Sequence, residues 1–241
     1  MLGSSSTSWS ASPTSDPTRR WARDNTLSLV FLVLFLAALV GQSIAGQRLF
    51  NEQQLQHGGD EISYARYLIS SHFGSAVLEN WQSEYLQFAL FIFATVWLVQ
   101  RGSNESKRPD DAGRESDQKQ LIGPHAQQGS PRWARAEGWG RRLYENSLIL
   151  VMTAIFLAAW FGQSLTAWNE YNAEQQEHGG ASVSWLGYLD RADFWEKTLQ
   201  NWQSEFLAVG TMAVFTIYLR QRGSPESKPV GAPHDQTGTS G

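Results

Sequence analysis

The chain contains no cysteine. That excludes disulfides, thiolate metal sites and cysteine nucleophiles. It also carries little net charge, a formal -4 over 241 residues. A nucleic-acid role therefore has no electrostatic support. Histidine is scarce at five residues. No two histidines stand at a His-xxx-His helical spacing, so no metal site is expected. There is no haem-attachment motif and no Ser/His/Asp set with a nucleophile signature. These gaps point away from an enzyme, and they imply no cofactor. Charge is also missing locally. Residues 27–47 and 146–168 hold no Asp, Glu, Lys or Arg.

Those two charge-free stretches are long enough to cross a hydrocarbon layer of ~30 Å at ~1.5 Å per helical residue. Two shorter apolar runs, 85–100 and 206–219, read as spans if their polar flanks are included. The expected fold class is all-α: an integral membrane protein with four transmembrane helices and helical outward-facing loops.

The four runs fall into two copies. Asn80-Trp81-Gln82-Ser83-Glu84 recurs letter for letter as Asn201-Trp202-Gln203-Ser204-Glu205. A shift of about 121 positions aligns residues 20–107 with 141–228 without a gap. Gly41-Gln42-Ser43 falls on Gly162-Gln163-Ser164, and His57-Gly58-Gly59 on His178-Gly179-Gly180. Arg101-Gly102-Ser103 with Glu105-Ser106-Lys107 falls on Arg222-Gly223-Ser224 with Glu226-Ser227-Lys228. The pattern predicts a tandem duplication of a two-helix unit, one copy at 20–107 and one at 141–228. Residues 108–140 are charged and aperiodic and read as a cytoplasmic linker. Residues 1–19 and 229–241 read as disordered tails. Arginines ahead of the first apolar run resemble a signal peptide, but that run is too long for a typical signal core.

Small residues recur every fourth position along the first and third helices: Ala37, Gly41, Ala45 and Ala154, Ala158, Gly162, Thr166. Such a stripe lets helix backbones approach closely in lipid. Gln42 and Gln163 sit toward the outer ends of these helices and should face another helix or water. The helices are expected to stop at the paired glycines. His57 and His178 then suit a helix C-terminus, with a shared outer histidine site as the sharper reading. Asn80 and Glu84 share a helix face, as do Asn201 and Glu205. Trp81 and Trp202 suit an interfacial anchor. An ionisable residue at the edge of a span is a functional candidate. The candidate polar site is thus Gln42, Asn80, Glu84, Gln163, Asn201 and Glu205.

Lys and Arg concentrate in the linker and beside the ends of the apolar region. This predicts cytoplasmic termini, a cytoplasmic linker and two outward loops. The expected localisation is a bacterial inner membrane, multi-pass.

Several of these residues carry a family likeness. Asp24-Asn25, Gly41-Gln42-Ser43, Asn51, Gln54 and His57, the Asn-Trp-Gln-Ser-Glu pentapeptide and the Arg-Gly-Ser…Glu-Ser-Lys segment resemble a bacterial membrane-protein family defined as domain of unknown function 6766. Both copies match, over most of the chain outside tails and linker. The resemblance implies a bacterial membrane protein and supplies no activity, substrate or catalytic residue.

Two functional expectations follow. The first is a structural or interaction module whose partners are the bilayer and, through the outward loops, another protein or a second copy. The alternative is a small transporter or proton-linked channel whose polar site is built from both copies.

Overall fold

The computed structural model describes residues 17–238. Of the predicted N-terminal tail, residues 1–16 lie outside the described residues, and 17–19 open the first helix. Among the described residues there are eight α-helices, three short 3-10 turns and no strand. The chain divides into two compact units, residues 1–68 and 69–241.

The first unit contains α1 (Pro17–Asp24), α2 (Thr26–Gln56) and α3 (Tyr64–Leu68). α1 gives way to α2 at Asn25, whose side-chain amide donates back to the Trp21 carbonyl at 2.8 Å. α2 ends where the glycine pair predicts. Gly58 takes φ +75°, a left-handed value that a side chain resists. The Gly59 amide donates to the Gln54 carbonyl at 2.8 Å, which closes the last turn. His57 does what a terminal histidine can do locally, with Nδ1 at 2.8 Å from the Gln53 carbonyl. The loop then folds back on α2. Asn51 holds both backbone groups of Ile62, donating to its carbonyl at 3.1 Å and accepting from its amide at 3.0 Å. The Ser43 and Tyr64 hydroxyls pair at 2.6 Å. Tyr67 is buried against Gly46, where a Cβ would overlap its hydroxyl. The rest of α2 is bare apolar surface, with Leu27, Phe31, Val33 and Leu34 all more than half exposed.

The second unit contains α4 (Ser71–Trp97), α5 (Gly138–Glu145), α6 (Ser147–Glu177), α7 (Trp185–Leu189) and α8 (Ala192–Tyr218). α4 packs on α6, and α8 packs on α4. α4 and α6 are antiparallel. Leu78 meets Gly162, and four residues earlier Gly74 meets Thr166, four residues later. The small-residue stripe of α6 is therefore in use. A Cβ on Gly162 would stand 2.9 Å from a Leu78 methyl, and one on Gly74 would stand 3.0 Å from the Thr166 methyl. At one end the bundle is closed by Ala167, Tyr188 and Phe194 with Trp160, Trp168 and Tyr171 against them.

The local bonds of α2 and its loop recur along α6. His178 Nδ1 lies 2.8 Å from the Glu174 carbonyl, and Asn172 brackets Val183 at 3.0 and 2.9 Å. α6 ends at Gly179, φ +72°. α2 and α6 are both 31 residues long, and α4 and α8 both 27.

Two helices, Thr26–Gln56 and Ser147–Glu177, are long and apolar enough to cross a membrane. α4 and α8 fall short of that measure, because the first half of each carries polar and charged residues such as Glu79 and Glu84, or Asp193 and Lys197.

The segments after α4 and α8 fold alike. The Gln100 amide donates to Ser106 Oγ at 2.8 Å, and the Gln221 amide to Ser227 Oγ at 2.9 Å. They also touch: Asn104 donates to the Pro225 carbonyl at 3.1 Å. Residues 229–238, assigned to a disordered tail from composition, form turns held at both ends. The buried Lys228 ammonium lies 2.6–3.2 Å from the carbonyls of Gly102, Pro233, His234 and Gln236. The Gly102 amide donates to Thr237 Oγ1 at 2.8 Å. A buried ammonium needs several acceptors, and a short run of loop carbonyls supplies them.

Candidate functional site

On α4, the residues His72, Ser75, Glu79, Gln82, Leu86 and Ala89 alternate at spacings of three and four, which lays them along one face. On α6, Phe156, Ala159, Gln163, Ala167 and Glu170 form the matching face. Four of the five are buried, and Glu170 is partly buried. α8 brings Asp193, Lys197, Asn201 and Trp202 to the same junction. The result is a polar seam in the second unit, apolar at one end of α4 and charged at the other.

The seam is bonded across helices. The Asn201 amide donates to Glu79 Oε1 at 2.8 Å and to the Lys197 carbonyl at 2.9 Å. Trp202 Nε1 donates to Gln82 Oε1 at 2.7 Å, and Gln82 Nε2 donates to the Glu79 carbonyl at 3.1 Å. Lys197 Nζ lies 3.2 Å from Asp193 Oδ2, which also accepts from the Tyr188 hydroxyl at 2.8 Å. His72 Nδ1 and Glu170 Oε1 are 3.6 Å apart. Beneath this layer, Trp160 stacks on Phe156 and Phe194 and meets Trp202.

Burial governs the titration of these groups. Glu170 stands two residues past the charge-free run. Burial pushes its carboxyl up to about 6, against a Ser75 hydrogen bond and the nearby Lys197 charge. Glu79 is raised by burial too, opposed by Asn201 and Lys197. His72 is lowered by burial and by Lys197. The 3.6 Å contact is therefore not a fixed ion pair. Both partners shift toward their neutral forms, the Glu170 carboxyl to about 6. Tyr188 is raised by burial and by Asp193, so its hydroxyl stays a donor.

The six candidate residues from the sequence fall in both units, and those of the second unit are divided between the seam and more exposed positions. Asn201 and Gln163 lie in or beside the seam. Gln163 is fully buried, and neither its oxygen nor its nitrogen has a hydrogen-bond partner. Asn80 is exposed and donates to the Ala76 carbonyl of its own helix at 2.9 Å. Glu84 is exposed as well. It faces Glu205 closely enough for their charges to interact, with Ser83 within hydrogen-bond reach of Glu205. Gln42 is exposed on α2, in the other unit. His57 and His178 are exposed, each bonded to its own helix terminus. Among the described residues, no group of three His, Cys, Asp or Glu is arranged to hold a metal ion.

The seam's charged members escaped the reading from sequence, and the reason is specific. At the shift of 121 positions, Glu79 falls on Gln200, His72 on Asp193, Lys197 on Ala76 and Glu170 on Leu49. None of the four recurs at that shift. The available signal was the three-and-four spacing on α4.

Such a seam can bind helices together and can hold a proton. It offers no activated nucleophile. The chain belongs to the family defined as a domain of unknown function, DUF6766, whose model matches residues 18–239. No curated protein and no solved structure matches it.

Proposed function

We propose that the chain is a four-span protein of a bacterial inner membrane, formed by tandem duplication of a two-helix unit, and that it serves as a structural or interaction module. The observation carrying this reading is the apolar surface left bare on all four long helices. Leu32 and Val33, Leu90 and Phe93, Val151 and Leu157, and Leu207 and Phe215 are all exposed. Exposed apolar area on this scale is unfavourable in water and natural in lipid. The duplication is supported by the equal helix lengths and the recurring bonds at Asn51 and Asn172 and at Ser106 and Ser227. Both ends and residues 108–140 are assigned to the cytoplasm from the Lys/Arg distribution. The outward loops are the surfaces offered to a protein partner or a second copy. Membranes washed with alkaline carbonate should retain the protein. Release into the supernatant would overturn the reading.

The seam supports structural work over transport. Asn201–Glu79 and Trp202–Gln82 satisfy one another across helices and so tie α4 to α8. Proton-linked transport is the second reading, favoured by Glu170 and the partnerless Gln163. Replacing Glu170 by Gln would then abolish proton flux into vesicles containing the protein. Unchanged flux, or none with the parent chain, removes that reading.

A further inference from the structure

A cavity of about 1060 Å³ opens in the second unit where the end of α4, the start of α6 and the linker come together. One part of its wall is apolar: Val96, Leu121, Ile122 and Leu148. Another part is ionic. Lys107 pairs with Glu115 at 3.5 Å, and Arg141 pairs with Asp117 at 3.6 Å and Glu145 at 3.0 Å. Those three acids are thus engaged. Arg114 and Arg142 also line the cavity, and neither has a carboxylate within ion-pair distance among the described residues. Arg114 reaches only the neutral Asn146 side chain, at 3.4 Å.

We propose that this cavity binds the phosphodiester headgroup of an anionic phospholipid, with Arg114 and Arg142 on the phosphate and an acyl chain laid along Leu148 and Val96. Guanidinium groups match phosphate oxygens in geometry and charge. The apolar wall continues into the bare faces of α4 and α6, which gives the chain a route into the bilayer. Two uncommitted arginines in a cavity that is walled partly by apolar and partly by ionic side chains therefore select a ligand that is anionic at one end and oily at the other. The site rests on the membrane reading, because it needs the linker end of α4 and α6 at the headgroup layer. Anionic lipid attracts basic groups there.

The test uses the full chain in neutral detergent, from preparations that have already passed the carbonate wash, so failure here leaves the membrane reading standing. Native mass spectrometry would follow binding of phosphatidylglycerol, phosphatidylcholine and soluble glycerol phosphate. Phosphatidylglycerol should bind about tenfold more tightly than phosphatidylcholine. The double variant Arg114→Gln with Arg142→Gln should lose that preference while keeping its phosphatidylcholine binding and its thermal midpoint. Glycerol phosphate should bind far more weakly than the lipid. Equal affinity for the two lipids, or a preference surviving in the double variant, overturns the proposal. Glycerol phosphate binding as tightly as phosphatidylglycerol would also overturn it, and would assign the pocket to a free phosphate ester. If the double variant fails to fold, Arg142→Gln alone should cut the preference several-fold, and an unchanged preference counts against the site.

Discussion

Glu170 is the residue whose behaviour follows most directly from its surroundings. Its folded-state pKa is raised to about 6 from an ordinary 4.5. The folded chain therefore holds that proton more tightly than the unfolded chain does. Stability falls as pH rises from about 4.5 to about 6 and levels off above, a loss of about 2 kcal/mol from this group. Glu170→Gln should remove that dependence. Thermal midpoints in detergent should favour the variant at pH 8 and converge with the parent below pH 4.5. Parallel pH profiles would contradict the assignment. His72 works in the opposite direction, since its lowered pKa makes protonation on acidification unfavourable to folding.

Two neighbours give predictions of opposite sign. Gln163 is buried with both amide atoms unpartnered. Gln163→Leu should stabilise the chain by about 1–3 kcal/mol, because it removes a desolvated amide that gains no bond. Trp202→Phe should destabilise by a similar 1–3 kcal/mol, since it strips the buried Gln82 oxygen of its donor. Denaturation in detergent measures both. Destabilisation by Gln163→Leu would mean that the amide is satisfied by a bound water or ligand.

At the scale of elements, the α4–α6 pair is held by shape. Gly162 sits under Leu78, and Gly74 under Thr166. Gly162→Leu should force the helices apart at a cost of about 1–3 kcal/mol, whereas the same change at Gly41, where a Cβ meets nothing within 4 Å, should be near neutral. Equal effects at the two glycines would contradict the packing. The two glycines also show how far the sequence could be read. Small-residue spacing identified the stripe on both helices, but spacing alone says nothing about which stripe meets a neighbour. Helix ends were legible, because Gly58 and Gly179 adopt left-handed backbone that a glycine pair announces. Ser63 and Ser184 each accept from the amide three residues on. The seam was not legible. It joins residues from α4, α6 and α8 that no local pattern connects, and its charged members do not recur at the shift of 121 positions. The fastening of 229–238 was also hidden, because it depends on Lys228 collecting carbonyls from a distant turn.

At the scale of the molecule, the four-span reading needs lipid around the long helices. The polar groups turn inward in the second unit, and apolar side chains are left outside on every long helix. Among the described residues, only α2 and α6 meet the length and apolarity of a span unaided. α4 and α8 are assigned to the membrane through their bare apolar second halves, with their charged first halves at the outer rim. A crossing by α4 is thus what separates a four-span protein from a two-span one, and the compartment of the linker reports it. Reporter tags inserted at Gly58 and at Gly123 in the full-length chain should lie in opposite compartments, Gly58 outside and Gly123 in the cytoplasm. Both tags in one compartment would contradict the account.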